Sequence, residues 1–170
     1  MATAAIRTPV GVLRVREGAG AIDAVDWSGR RPPHRPETAV LRAAVAWLED
    51  YFAGRWRPVD FALRPEGTPF QRQVWSEIAR LPAGATATYG EIAARLGTSA
   101  RAVGGACAAN PLPVLIPCHR VVAAGGGPGG YSGGAGAARG IATKRALLAH
   151  EAAAPRRRGD ARVSPAARPW

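Results

Sequence analysis

The chain has 170 residues, 47% hydrophobic and 21% charged, with 23 basic residues against 12 acids for a net charge of +11. That length suits one domain, or a small domain joined to a larger one, and neither the charge balance nor the 21 glycines and 15 prolines mark a disordered chain. No apolar run approaches the ~18 residues of a membrane span, the first residues lack the apolar stretch of a secretory signal, and two cysteines, Cys107 and Cys118, make neither a disulfide framework nor a four-cysteine zinc site, so a soluble, reduced, cytoplasmic protein with no membrane partner is expected.

Residues 8–28 read as two strands, with Val10, Val12, Leu13 and Val15 in the first and Ile22, Val25 and Trp27 in the second. Gly18-Ala19-Gly20 supplies the turn between them. Arg30 to Pro36 is a Pro/Arg loop. The helical spacing of Val40, Ala44, Trp47, Leu48 and Tyr51 predicts a helix from Pro36 to Phe52. Val59 to Leu63 alternates like a third short strand. Together these predict a small α+β N-terminal domain, a short antiparallel sheet plus a helix, over residues 1–65.

The second half is mainly helical. Thr68-Pro69-Phe70-Gln71 is a helix start, with Thr as N-cap, Pro at the first helical position and Gln completing a capping box. Phe70, Val74, Ile78 and Leu81 then share a face. Thr88-Tyr89-Gly90-Glu91 is a second capping box, whose helix runs to Leu96 and stops at Gly97. Thr98 and Ser99 open a third helix, Ala100 to Asn110, ended by Pro111. Two short helices around a four-residue turn predict a helix-turn-helix. A last helix is expected from about Ala142 to Ala152. From residue 153 on, Pro155, Arg156-Arg157-Arg158 and Pro165 predict a disordered basic tail, so 66–152 forms the second domain.

Charge is unevenly placed. Between Glu91 and Glu151 lie 59 residues without an acid, among them Arg95, Arg101, Arg120, Arg139, Lys144 and Arg145. An acid-free basic surface fits a polyanion such as nucleic acid; a neutral Ala/Gly-rich region is the plainer alternative. The helix that would read DNA offers only Arg101 as a long polar side chain, followed by Ala102, Val103, Gly104 and Gly105. Such a helix suits contacts to shape and backbone more than a base code. Close helix–helix packing through Gly104 and Gly105 is the competing explanation.

Ile116-Pro117-Cys118-His119-Arg120-Val121 is the densest chemistry. The apolar run Leu112 to Ile116, broken by Pro113, predicts a buried segment that carries Cys118 inside. A thiol works as the thiolate, which a neighbouring imidazole or arginine favours. Adjacent side chains point in different directions, so a bridging water is a better proton path to His119 than a direct bond. An inert cysteine is the alternative. Only His34, His119 and His150 are present, with no metal-ligand spacing, and no metal is expected.

With these blocks together, roughly Thr68 to Glu151 resembles the O6-alkylguanine-DNA alkyltransferases. The resemblance is carried by Gly67-Thr68-Pro69-Phe70-Gln71, Val74-Trp75, Tyr89-Gly90-Glu91-Ile92-Ala93, Arg101-Ala102-Val103-Gly104, Asn110-Pro111, Pro117-Cys118-His119-Arg120-Val121, Gly130-Tyr131-Ser132-Gly133-Gly134 and Leu147-Leu148-Ala149-His150-Glu151. Alkyltransferase-like proteins carry tryptophan where this chain has Cys118, so it resembles the reactive branch.

The resemblance implies an α+β fold whose C-terminal domain holds a winged-helix-like helix-turn-helix. It implies single-use transfer of an alkyl group from O6 of a flipped guanine to Cys118, without a cofactor, on double-stranded DNA and by a monomer. His119 is then similar to the water-linked base, Glu151 to the acid that orients it, and Asn110 to the residue holding the active-site turn. Tyr89 resembles the proton donor to the leaving guanine. Ser132, Val121, Pro113 and Tyr131 fall at base-contacting positions, the carbonyls of Cys118 and Val121 accepting from the guanine amino group. Arg101 resembles the finger that fills the gap in the stack, with Ala102, Gly104, Thr98 and Ser99 on the DNA side. Ala135 to Thr143 is longer than the family's usual connection. The N-terminal half has no cysteine, so the zinc site of some relatives is not expected, and Cys107 is expected to be a small packing residue. Two other readings compete: a helix-turn-helix regulator with a sensor or silent cysteine, and a cysteine hydrolase, which would need direct Cys–His pairing and turnover.

Overall fold

The computed structural model describes residues 1–27, 36–129 and 137–153. Alternation builds its first half. Leu13 and Val15 are buried while Arg14 and Arg16 face outward, so the segment forms β2 (Gly11–Gly18) in the middle of an antiparallel sheet. Its neighbours are β1 (Ala2–Thr8) and β3 (Ala21–Asp26). β1 is a third strand beyond the two expected from residues 8–28. Its alanines have weak strand preference, and pairing with β2 from Ala2 opposite Glu17 to Thr8 opposite Gly11 makes it. The turn between β2 and β3 has positive φ at Ala19 (49°) and Gly20 (78°), the mirror-image turn that suits strand twist. Ion pairs Arg14–Asp26 and Arg16–Asp23, both 2.7 Å, lace the outer face.

The inner face is covered by α1 (Ala39–Phe52), which packs on all three strands and buries Leu41, Ala44, Val45, Leu48 and Tyr51. The helix begins after Thr38 rather than at Pro36, because the Thr38 hydroxyl caps it by accepting from the Leu41 N–H (3.1 Å). Val59 to Leu63 is not a strand of its own. It meets β3 at one bridge, Leu63 beside Ile22, with two flanking backbone bonds of 2.8 and 2.9 Å.

In the second half, both predicted capping boxes form, Thr68 with Gln71 at the start of α2 (Pro69–Ile78) and Thr88 with Glu91 at the start of α3 (Tyr89–Leu96). Leu81 is buried but lies past the end of α2. Gly97, at φ 63°, closes α3, and the Thr98 N–H returns to the Ala93 carbonyl (3.0 Å). α4 (Ala100–Ala108) follows, so Gly97 to Ser99 is a three-residue connection, one shorter than expected. α4 stops before Asn110, whose side chain turns to other partners. Trp75 of α2 is fully buried and donates its indole N–H to the Ala106 carbonyl of α4 (2.8 Å).

Two short parallel strands, β4 (Ala87–Thr88) and β5 (Val121–Val122), pair Ala87 with Val121 and Thr88 with Val122. They hold the first turn of α3 beside the Cys118 segment. α5 (Ala137–Ala153) starts five residues earlier than the expected Ala142, so most of the long connection at 135–143 is helix. Its alanine-rich start is a strong helix former. One hydrophobic cluster runs from Leu13 and Val15 through Leu48, Trp75 and Ile116 to Leu147. No helix among the described residues is long and apolar enough to cross a membrane.

Candidate active site

Cys118 sits at the end of a tightly folded turn. Leu112 and Ile116 are fully buried, and the Ile116 N–H bonds back to the Leu112 carbonyl (2.8 Å). Val114 is forced to φ 75°, an outlier for a β-branched residue and the kind of strain found at functional sites. Pro117, at φ −81° and ψ 61°, forms an inverse γ-turn, closed by the Cys118 N–H to Ile116 carbonyl bond (2.8 Å). A single 3-10 turn, Cys118–Arg120, follows. Asn110 locks this shape. Its Oδ1 accepts from the Leu112 N–H (2.9 Å), so its Nδ2 must be the atom that donates to the Ile116 carbonyl (2.9 Å) and to Cys118 Sγ (3.1 Å). The thiol is buried and held by a donor.

His119, the next residue, pairs with Glu151 of α5. The imidazole is fully buried, with Nε2 2.7 Å from Glu151 Oε1. A carboxylate only accepts, so Nε2 carries the hydrogen and Nδ1 is the basic nitrogen. Nδ1 has no hydrogen-bond partner among the described residues. Glu151 also takes a forked bond from Arg120 (2.8–3.1 Å), the Gly84 N–H (2.9 Å) and the Tyr51 hydroxyl (2.7 Å). Burial opposes its charge, but His119 and Arg120 outweigh that and hold the carboxyl far below its ordinary value. Burial pushes the His119 imidazolium below its ordinary value, against the pull of Glu151 and with help from Arg120 and Lys144. The imidazole is therefore neutral at pH 7.

On the other flank, the Tyr89 hydroxyl is 3.2 Å from Lys144 Nζ, which also donates to the Val121 carbonyl (2.6 Å). Burial, then the nearby thiols Cys107 and Cys118, push the phenol up to about 12. Lys144 is fully buried, and burial lowers its ammonium against the pull of both thiols. Gly129 runs against the ring, where a Cβ would fall 2.8 Å from Tyr89 Cε2. Lys144 and Tyr51 are the site residues that sequence reasoning missed. Lys144 is the only lysine in the chain, the one feature of the sequence that sets it apart.

The other expected positions are scattered more widely. Pro113 is buried within the turn, and the Val121 carbonyl is engaged by Lys144. Tyr131 and Ser132 lie outside the described residues. Arg101 is exposed on α4, Ser99 caps that helix through the Ala102 N–H (3.2 Å), and Thr98 closes α3. Nothing lies within 4 Å of a Cβ built on Gly105, and only the Tyr89 ring, at 4.0 Å, meets one on Gly104. Among the described residues, the glycines therefore do not serve helix–helix packing. The expected basic surface is smaller than the sequence suggested, because Arg120 and Lys144 point inward. Arg95 and Arg145 stay exposed, Arg95 paired with Glu77 (3.1 Å). Cys107 is half-buried on the site side of α4, and burial followed by Cys118 pushes its thiol up to about 12.

A buried cysteine followed in the chain by the imidazole of an imidazole–carboxylate pair, beside two short helices, defines the class. Residues 69–153 match a family model described as the DNA-binding domain of 6-O-methylguanine DNA methyltransferase. A methylated-DNA–protein-cysteine methyltransferase of Methanosarcina acetivorans is 47% identical over 96 residues, 55% of this chain and 62% of that protein. The constitutive one of Bacillus subtilis is 38% identical over 138 residues, 74% of this chain and 83% of that protein. The crystal structure of Mycobacterium tuberculosis OGT in complex with DNA superposes with a TM-score of 0.77 at 35% identity, covering 94% of this chain and 96% of that one. The chain belongs to the O6-methylguanine DNA methyltransferase family. It spans less than two thirds of the Methanosarcina relative and 66% of a Mycobacterium bovis one.

Proposed function

We propose that the chain repairs DNA directly, moving the alkyl group from O6 of guanine to Cys118 and acting once. The observation that carries this is a buried thiol held at 3.1 Å by Asn110, followed in the chain by a buried imidazole whose Nε2 is fixed by Glu151. The thiol proton passes through a bridging water to His119 Nδ1. Sulfur then attacks the alkyl carbon, the S–C bond forms as the C–O6 bond breaks, and the electron pair stays on the base. Tyr89 gives the leaving guanine a proton. A phenol at about 12 is a weak acid, and the Lys144 ammonium, which donates to it at 3.2 Å, stabilises the phenolate that results. A thioether has no easy hydrolytic exit, and the reaction consumes one thiol per lesion, so a monomer suffices.

A stacked base cannot reach a buried sulfur, so the nucleotide is flipped out. The small-residue surface of α4 suits backbone and minor-groove contact, and the open side of Gly105 supports close approach to DNA. Exposed Arg101 fills the space the base leaves. The test is incubation with duplex DNA carrying O6-methylguanine labelled in the methyl group. Label should move to the protein and leave guanine behind. Binding that left the base alkylated would instead mark a DNA-binding regulator.

A further inference from the structure

The alkyl-transfer chemistry uses residues from one half of the chain, yet the shortest contacts to its carboxylate include one from the other half. Tyr51 lies near the end of α1, 2% exposed. Its hydroxyl donates to Glu151 Oε1 at 2.7 Å, the same oxygen that accepts from His119 Nε2 at 2.7 Å, and stands 3.4 Å from Nε2 itself. The ring is gripped on several sides. It stacks on Trp47 (5.7 Å between centroids) and meets Trp56 edge-on (5.2 Å). His150, the residue before Glu151, packs against the ring (5.4 Å) and bonds through Nε2 to the Tyr51 carbonyl (2.8 Å).

We propose that Tyr51 is a positioning residue for alkyl transfer, through which α1 sets how tightly Glu151 holds the His119 hydrogen. This rests on the reading of His119 as the base. A carboxylate oxygen that already accepts from a phenol and from Arg120 has less charge left for the imidazole. The groups facing His119 are Glu151 and Lys144 from α5, Arg120 from the 3-10 turn and Tyr51 from α1. Glu151 favours the imidazolium, while Arg120 and Lys144 oppose it. Tyr51 tips that balance toward the neutral ring by occupying Glu151. The N-terminal half is then part of the reaction's machinery and not only a support.

The test is Tyr51→Phe, which keeps the ring and its aromatic neighbours. In unmodified protein and variant, two quantities are followed against pH: the single-turnover rate of alkyl transfer at saturating DNA, and the His119 imidazole signals by NMR. Loss of the phenol should strengthen the hold of Glu151 on the imidazolium. The acid limb of the rate profile and the His119 titration should both move up by ~0.5 pH unit or more. A structural role alone would lower the melting temperature and leave both curves in place, which would overturn the proposal. Should Y51F not fold, a fluorinated tyrosine placed at 51 alone makes a stronger donor and should move both curves down; an unchanged titration would again overturn it. The NMR readout needs no alkylated DNA. Absence of transfer in the unmodified protein therefore counts against the repair reading and leaves the Tyr51 proposal to be judged by the titration.

Discussion

On one flank of Cys118, Glu151 accepts from His119, Arg120, Tyr51 and Gly84, and both of its oxygens are engaged. On the other, Lys144 Nζ donates to the Tyr89 hydroxyl at 3.2 Å, and burial shifts both. The first flank fixes a charge by surrounding it with donors. The second adjusts two groups by desolvation, with Lys144 anchored through the Val121 carbonyl. A proton acceptor must hold one tautomer in place, whereas a donor must only be ready to release its proton when charge develops on the base. The two constructions suit the two tasks proposed for His119 and Tyr89, and variants on each flank should fail in different ways.

The largest effect is expected where the flanks meet. Cys118→Ser should abolish transfer while leaving the affinity for duplex DNA within about twofold, since a buried thiol is not placed to meet the phosphate backbone; filter binding beside a transfer assay reads both. Glu151→Gln removes the charge that compensates buried Arg120. It should cost ~3–5 kcal/mol of stability by urea unfolding and reduce transfer by about 100-fold or more. On the opposite flank, Lys144→Met should reduce single-turnover transfer ~10–100-fold but change stability by no more than about 1.5 kcal/mol. Equal stability losses on the two flanks would erase the distinction.

Acid should act first through the His119–Glu151 flank. Both groups are held below their ordinary values, so the unfolded chain binds more protons than the folded one. The stability they contribute is fully present above the unfolded values. It should be lost as pH falls below ~6.5 for the histidine and below ~4.3 for the carboxyl. Urea midpoints from pH 8 to pH 4 would show this decline, and a flat profile would refute it. The smallest effect is at the surface. Arg101→Ala should slow repair a few-fold more in duplex than in single-stranded DNA, because only the duplex has a stack to hold open; equal slowing would remove its role as a finger.

What could be read from the sequence follows from how local each signal is. The Thr68/Gln71 and Thr88/Glu91 boxes are four-residue events, and both form as predicted. The burial of Cys118 is legible in the apolar run Leu112 to Ile116, but the turn strained at Val114 is not, because a β-branched residue carries no signal for positive φ. Tyr51 could be seen as a core position of a helix, but not as a partner of Glu151, since 100 residues separate them and only the fold brings them together. Arg120 and Lys144 read as surface cations because an acid-free window says nothing about direction. Among their acceptors are a carboxylate from the far end of α5, which also lies beyond that window, and backbone carbonyls that have no sequence signature. β1 was hidden by its alanines, whose place is decided by pairing and burial.

The central claim is that one thiol receives one alkyl group. Two cysteines stand near the site, and they differ in environment. Cys118 is held by Asn110 beside His119, while the Cys107 thiol is pushed up to about 12 by burial, which keeps it protonated and unreactive. Intact-mass measurement after reaction with excess O6-methylguanine duplex, followed by peptide mapping, separates them. The account predicts a gain of one methyl group per molecule, located on Cys118, and no further repair. A methyl group on Cys107, or more guanines restored than protein molecules present, would contradict it.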